Sequence, residues 1–258
     1  MRRRIGIALA IVAACAVGAL GLAISSAFGE TVRVGDLAIT IEGGFSPTRL
    51  PKKTPAPITL TVKGSLKTED GSHPPALKTL DLLFDRNGHL NTKGLATCTP
   101  AKLQSTLTAQ AKKACGPALV GSGRVSAEIA LPEQAPFSAS GPLLIFNGAP
   151  KGGKQVLIFH VYAHVPAPTT FVTTAVISKH AGRYGTEAEV QIPTIVGGQG
   201  SLTSFDATLG KTWTFKGRRE SLLLASCPSG SLLAHGEFTF ADGTKASGDV
   251  VRPCTGVG

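Results

Sequence analysis

Apolar residues recur at every second position along most of this chain beyond its first fifty residues. Ile58, Leu60 and Val62 alternate with Thr59, Thr61 and Lys63, and Val125, Ala127, Ile129 and Leu131 alternate with Ser126, Glu128 and Ala130. Ala188, Val190 and Ile192 oppose Glu187, Glu189 and Gln191, and the same period returns at Phe205–Leu209, at Trp213 and Phe215, and at Phe238 and Phe240. Successive side chains of a strand point to opposite faces, so this period marks strands with one buried face. Asp70-Gly71, Asn87-Gly88, Asn147-Gly148, Gly152-Gly153, Gly197-Gly198 and Asp242-Gly243 fall between or beside the runs. Such pairs supply the positive φ angles of tight turns. About twelve short strands separated by turns predict an all-β fold, an antiparallel β-sandwich.

One stretch breaks the period. Thr99-Pro100 reads as a helix start, and Leu103, Leu107, Ala111 and Ala114 follow at helical spacing before Gly116-Pro117 ends the run. A short helical insertion is therefore predicted near residues 99–114. Straight, it would be roughly 21 Å long at 1.5 Å per residue. Cys98 and Cys115 flank it, and a disulfide needs Cα atoms within about 7 Å. Either the insertion bends near Ser105–Thr108, the favoured reading, or these cysteines find other partners.

The amino terminus sets the meaning of the cysteines. Arg2-Arg3-Arg4 precede an uncharged run from Ile5 to Ile24, and Ser25-Ser26-Ala27 follow. That is the layout of an export signal over residues 1–27. The run is also long enough for an uncleaved membrane anchor over residues 5–24, and Val12-Ala13-Ala14-Cys15 could be a lipidation box. On each reading residues 28–258 lie outside the cytoplasm. Cys98, Cys115, Cys227 and Cys254 then form an even set in an oxidising compartment, which favours two disulfides. Three pairings are possible, and spacing prefers Cys98–Cys115 with Cys227–Cys254. The second pair flanks a hairpin of Ser231–Phe240 and Lys245–Val251. Residues 28–258 are long enough for one domain, with two subdomains divided near 132–142 as the alternative.

Charge and chemistry narrow the function only by exclusion. The formal charge is +10, or +7 without Arg2–Arg4. That excess allows attraction to anionic cell-wall polymers, but Lys52-Lys53, Lys112-Lys113 and Arg218-Arg219 are only pairs, and no nucleic-acid partner is expected. His160, Tyr162 and His164 share one strand face, yet the two histidines are about 13 Å apart in an extended strand, too far to bind one metal ion. A site would need His180 or His235 from neighbouring strands, so a surface or sheet-face role is expected, with no metal and no cofactor. Asp81 and Asp85 are separated in the same way, beyond the spacing of paired glycosidase carboxylates. Asp85-Arg86-Asn87-Gly88 reads as a hairpin turn, and Gly121-Ser122-Gly123 and Pro150–Lys154 read as turns that lack the following helix of a nucleotide loop. No G-x-S-x-G elbow occurs. Trp213 alternates with threonines and is expected to point inward, which leaves only Tyr162 and Tyr184 for a carbohydrate platform. No catalytic residue emerges.

The carboxyl-terminal third carries a resemblance. Glu220–Ala225, Cys227-Pro228-x-Gly230, Gly236-x-Phe238-x-Phe240-x-Asp242-Gly243-Thr244 and Val251-x-Pro253-Cys254 resemble the recurrent ending of uncharacterised exported β-rich proteins of high-GC Gram-positive bacteria. The stretch from Cys98 to Cys115 followed by Ala118–Gly123 is similar to the same group's middle section. The resemblance covers framework residues and implies no activity. The expectation is a non-enzymatic exported protein of the cell envelope or extracellular space with a binding or structural role. Its partners would be anionic wall polymers or another envelope protein. The alternative is a secreted enzyme acting on cell-wall polysaccharide, marked by a Glu and an Asp about 5–9 Å apart in a cleft.

Overall fold

The computed structural model describes residues 29–258, so the export segment predicted over 1–27 lies outside the described residues. In chain order the first strands are β1 (Glu30–Val34), β2 (Leu37–Ser46), β3 (Arg49–Pro51), β4 (Ala56–Pro57), β5 (Thr59–Thr68), β6 (Leu77–Asp85) and β7 (Gly88–Leu90). After the insertion come β8 (Leu119–Ile129), β9 (Phe137–Lys151), β10 (Lys154–Ala163), β11 (Thr169–Lys179), β12 (Tyr184–Gln191) and β13 (Gly200–Leu209). The last are β14 (Thr212–Phe215), β15 (Arg218–Ser221), β16 (Leu223–Ala225), β17 (Ser231–Phe240), β18 (Lys245–Pro253) and β19 (Thr255–Val257).

Twelve of these strands form one antiparallel sheet in the order β1-β2-β5-β13-β8-β9-β10-β11-β12-β6-β17-β18. Its two edges come together, with β18 running alongside β1 and β2, so the sheet nearly closes into a barrel. A barrel is a sheet closed on itself, and the facing layers expected of a sandwich are opposite walls of this single sheet. Register shifts within the β8–β9, β9–β10, β12–β6 and β13–β8 pairs are the irregularities that let a sheet curve. Residues 132–142 lead from β8 into its neighbour β9, and strands from both sides of that segment interleave across the sheet.

The alternation decides which face is which. Ile39 and Ile41 of β2, Leu143 and Ile145 of β9, Leu157 of β10, Val190 of β12 and Phe238 of β17 all join the interior apolar cluster. Intervening positions such as Lys63, Lys67, Asp206, Glu189 and Glu237 are exposed or half-buried on the outside. A membrane-spanning barrel has the reverse arrangement, apolar outside and polar within. Among the described residues, no helix is long and apolar enough to cross a membrane.

The insertion bends where its cysteines require. Pro100–Lys102 form a 3-10 turn, Ser105 takes a φ of 57°, and the only α-helix among the described residues, α1, runs from Thr108 to Cys115. The backbone N–H of Leu107 donates to Gln110 Oε1 at 2.9 Å, which anchors the helix start. Cys98 and Cys115 are bonded with Cα atoms 5.6 Å apart, and Cys227 is bonded to Cys254. Leu103, Ala111 and Ala118 pack on the outward residues Leu144, Phe146, Val156 and Ile158. This explains why β9 and β10 are apolar on both faces: one lines the interior, the other carries the insertion. Full burial of Leu103, Phe146 and Ile158 stabilises by on the order of 1.5–3 kcal/mol each.

Three turn readings are corrected. Gly121-Ser122-Gly123 lies inside β8, where a Cβ at Gly123 would collide with the Asp206 carbonyl oxygen of the neighbouring strand. Asn147-Gly148 lies inside β9. The Asn147 side chain is buried there, donating to the Ala96 carbonyl at 2.9 Å and accepting from Gln155 at 2.8 Å. Asp85–Gly88 does turn the chain, but β7 then pairs with β16 rather than folding back on β6.

Candidate ligand-binding site in the barrel

Eight strands suffice for side chains to fill a barrel, and larger barrels enclose space. The inward positions here also carry many small residues, including Ala127, Ala139, Ala175, Ala188, Ala207 and Ala234. Wide walls with short side chains leave an internal cavity of about 700 Å³. Ligand sites usually fall between about 300 and 1,000 Å³.

The cavity wall is almost wholly apolar. Leu80, Leu82, Leu157, Phe159, Phe171 and Phe205 line it, together with the alanines. Thr173 also borders it, but its hydroxyl donates to the Gln191 carbonyl at 2.6 Å. At one end the small sheet β4-β16-β7 contributes Leu90, Leu223 and Leu224 as a floor. Below it Leu50, Ala225, Cys227 and Leu232 form a separate buried cluster. The Cys227–Cys254 disulfide lies in this region, tying the entry of β17 to the exit of β18. At the other end the segments 163–169 and 192–196 form the rim, where Val165 is 48% exposed.

Of the sequence-predicted residues, Asp85 and His235 border the cavity, and the others sit elsewhere. His160 projects from the outer face of β10 and is wholly buried beneath the insertion. Its Nε2–H donates to the Thr106 carbonyl at 3.0 Å, and its Nδ1 has no hydrogen-bond partner. Burial holds its pKa below the ordinary imidazole value, with the bond to Thr106 opposing that shift. Its role is to hold the bend of the insertion against the barrel. His180 and His235 gather around Tyr184 instead, at 6.2 and 6.0 Å between ring centroids. His235 Nδ1 and the Tyr184 hydroxyl share Asp249 Oδ1 at 2.7 and 2.8 Å. These bonds, that of Tyr184 first, hold the Asp249 carboxyl below its usual range. Among the described residues, no group of three or more His, Cys, Asp or Glu is placed to hold a metal ion.

The aspartates also separate by role. Asp85 is buried and accepts from the Asn87 backbone and side chain at 2.9 and 2.8 Å and from the Leu233 N–H at 3.1 Å. Asp81 is on the outer wall, in register with Glu189 and Glu237. Burial, then the negative charges of Glu189, Glu187 and Glu237, push its carboxyl up. Trp213 is half-buried against the main core and donates to the Lys93 carbonyl at 3.0 Å.

The cavity was not read from the sequence. Its signal was there in the alternation, where alanine repeatedly occupies inward positions of long strands. The chain matches no family model, no curated protein and no solved structure. Its own chemistry defines the site: a chamber of ligand size with an apolar wall.

Proposed function

We propose that this chain is an exported binding protein of the cell envelope or extracellular space that holds an apolar molecule inside its barrel and catalyses no reaction. The carrying observation is the 700 Å³ apolar cavity. An apolar ligand gains roughly 25 cal/mol for each Å² of surface taken from water, and the wall offers few polar groups to oppose it. The two disulfides suit an oxidising compartment, and the predicted export signal and the resemblance to exported proteins agree with that placement. Anionic wall polymers or another envelope protein would be partners of the outer surface, where Lys52, Lys53, Lys112, Lys113, Arg218 and Arg219 are exposed.

The polysaccharide-enzyme reading asks for a free carboxylate pair in a cleft. The carboxylates of Asp81, Glu189 and Glu237 lie on the outer wall, and Asp85 is held by Asn87 and Leu233. Binding is thus the better-supported role. Native mass spectrometry of protein secreted by a bacterial host tests it. A stoichiometric apolar adduct, removed by organic extraction and restored by adding the extract, is expected. Protein that emerges bare and takes up no apolar compound would refute the proposal.

A further inference from the structure

Among the described residues, no ladder joins β18 to β1 or β2 along the barrel's seam, and a cation stands on that seam. On its free edge β2 pairs with β1 only from Leu37 to Ile41. Beyond Ile41, among the described residues, no strand forms a ladder with that edge of β2, whose next residues are Glu42, Gly43 and Gly44. Farther on, β3 pairs in parallel with β19, the strand that follows β18. Between the end of β1 and this pairing, β18 faces β2 with Val250 and Arg252. The glycines put no side chain there: a Cβ at Gly43 would touch Val250 Cγ1 at 3.6 Å, and one at Gly44, on the other face, would meet nothing within 4 Å. Arg252 reaches across, its Nε–H donating to the Gly43 carbonyl and its Nη1 to the Val251 carbonyl at 3.0 Å.

Those two bonds hold the guanidinium, and among the described residues its Nη2 makes no hydrogen bond. Arg252 is half-buried and borders the apolar cavity together with Gly43, Gly44, Phe45 and Val250. Among the described residues, no carboxylate forms an ion pair with it. The nearest acid along β2, Glu42, also borders the cavity but is exposed and in register with Lys63, and Asp85 is engaged as described above. A fixed guanidinium favours a planar or tetrahedral oxyanion through paired N–H donors.

We infer that the gap between Gly43–Gly44 and Arg252 is the head-group site for an anionic single-chain amphiphile whose tail occupies the barrel. This rests on the binding role proposed above and adds the charge and position of the head. Three twelve-carbon probes with different heads test it by titration calorimetry: dodecanol, dodecanoate and dodecyl phosphate. At low salt at least one anion should bind wild-type protein about tenfold more tightly than dodecanol, the value of a charge-assisted hydrogen bond at a half-exposed site. The tighter of the two anions identifies the head as carboxylate or phosphate. The variant Arg252→Gln should bring that anion down to the dodecanol level and leave dodecanol unchanged, which also shows that the variant is folded. Raising ionic strength should weaken the anion alone. Equal binding of all three probes to wild-type protein, or an anion preference that persists in Arg252→Gln, would overturn the head-group site while the barrel-binding role stands. Failure of all three to bind would overturn both.

Discussion

Lengthening an apolar ligand by one methylene at a time should tighten its binding until the barrel is full. Each buried methylene is worth about 0.8 kcal/mol, roughly a fourfold gain in affinity. A cavity of about 700 Å³ admits at most about twenty carbon-sized groups if each takes the roughly 30 Å³ of a liquid water molecule. A series of straight-chain alcohols should therefore show affinity rising by about 3 kcal/mol from eight to twelve carbons and levelling before about twenty. Titration calorimetry reads this directly, and the heat-capacity change should grow more negative along the rising part. Ala175, 1% exposed, borders the cavity from β11. Ala175→Phe places six more carbons at that wall and should move the plateau to chains shorter by about six carbons. Affinity independent of chain length, or a plateau that Ala175→Phe leaves in place, would refute the reasoning.

Other expectations concern the frame. Replacing Cys98 and Cys115 by serine frees a loop of 17 residues and should cost about 3 kcal/mol, lowering the melting temperature by about 6–12 °C; alcohol binding should survive, because the insertion packs outside the barrel. Burial keeps the folded-state pKa of His160 below its ordinary 6.5. Below that pH the unfolded chain takes up a proton that the folded protein resists. Stability measured in urea should thus be fully present above pH 6.5 and fall as pH drops below it, with a shallower fall in His160→Gln; identical slopes would contradict this. Asp81→Asn removes a charge set against Glu189, Glu187 and Glu237. It should raise stability by about 0.5 kcal/mol at pH 7, or about 1–2 °C. The gain should vanish below pH 3.8, where the wild-type carboxyl is also neutral, and a gain that persists there would point to another cause.

Much of the wall was legible because period two is a strong constraint. The inward faces read from Leu60 and Val62, from Val125, Ala127 and Ile129, and from Ala188, Val190 and Ile192 are the faces that line the barrel. The bend of the insertion was legible too, since two flanking cysteines cannot meet across a straight helix. Turn pairs were less informative. Gly152-Gly153 takes φ values of 58° and 76° in the β9–β10 turn, but Asn147-Gly148 looks the same in sequence and lies within a strand. Local chemistry cannot distinguish a glycine needed for a positive φ from one needed for close backbone approach. The cavity depends on how many strands share one sheet and whether its edges meet, and alternation is the same in a sandwich and a barrel. Arg252 was hidden for the same reason: its inward orientation follows from the register of β18, and its significance from the end of β1 on the other side of the seam.

The most direct test of the central claim is a crystal structure grown with a long-chain alcohol brominated at its terminal carbon. The account predicts an anomalous bromine peak inside the barrel, among Leu157, Phe159 and Ala188. Bromine found only on the outer surface, with the interior filled by ordered water or by collapsed side chains, would contradict it.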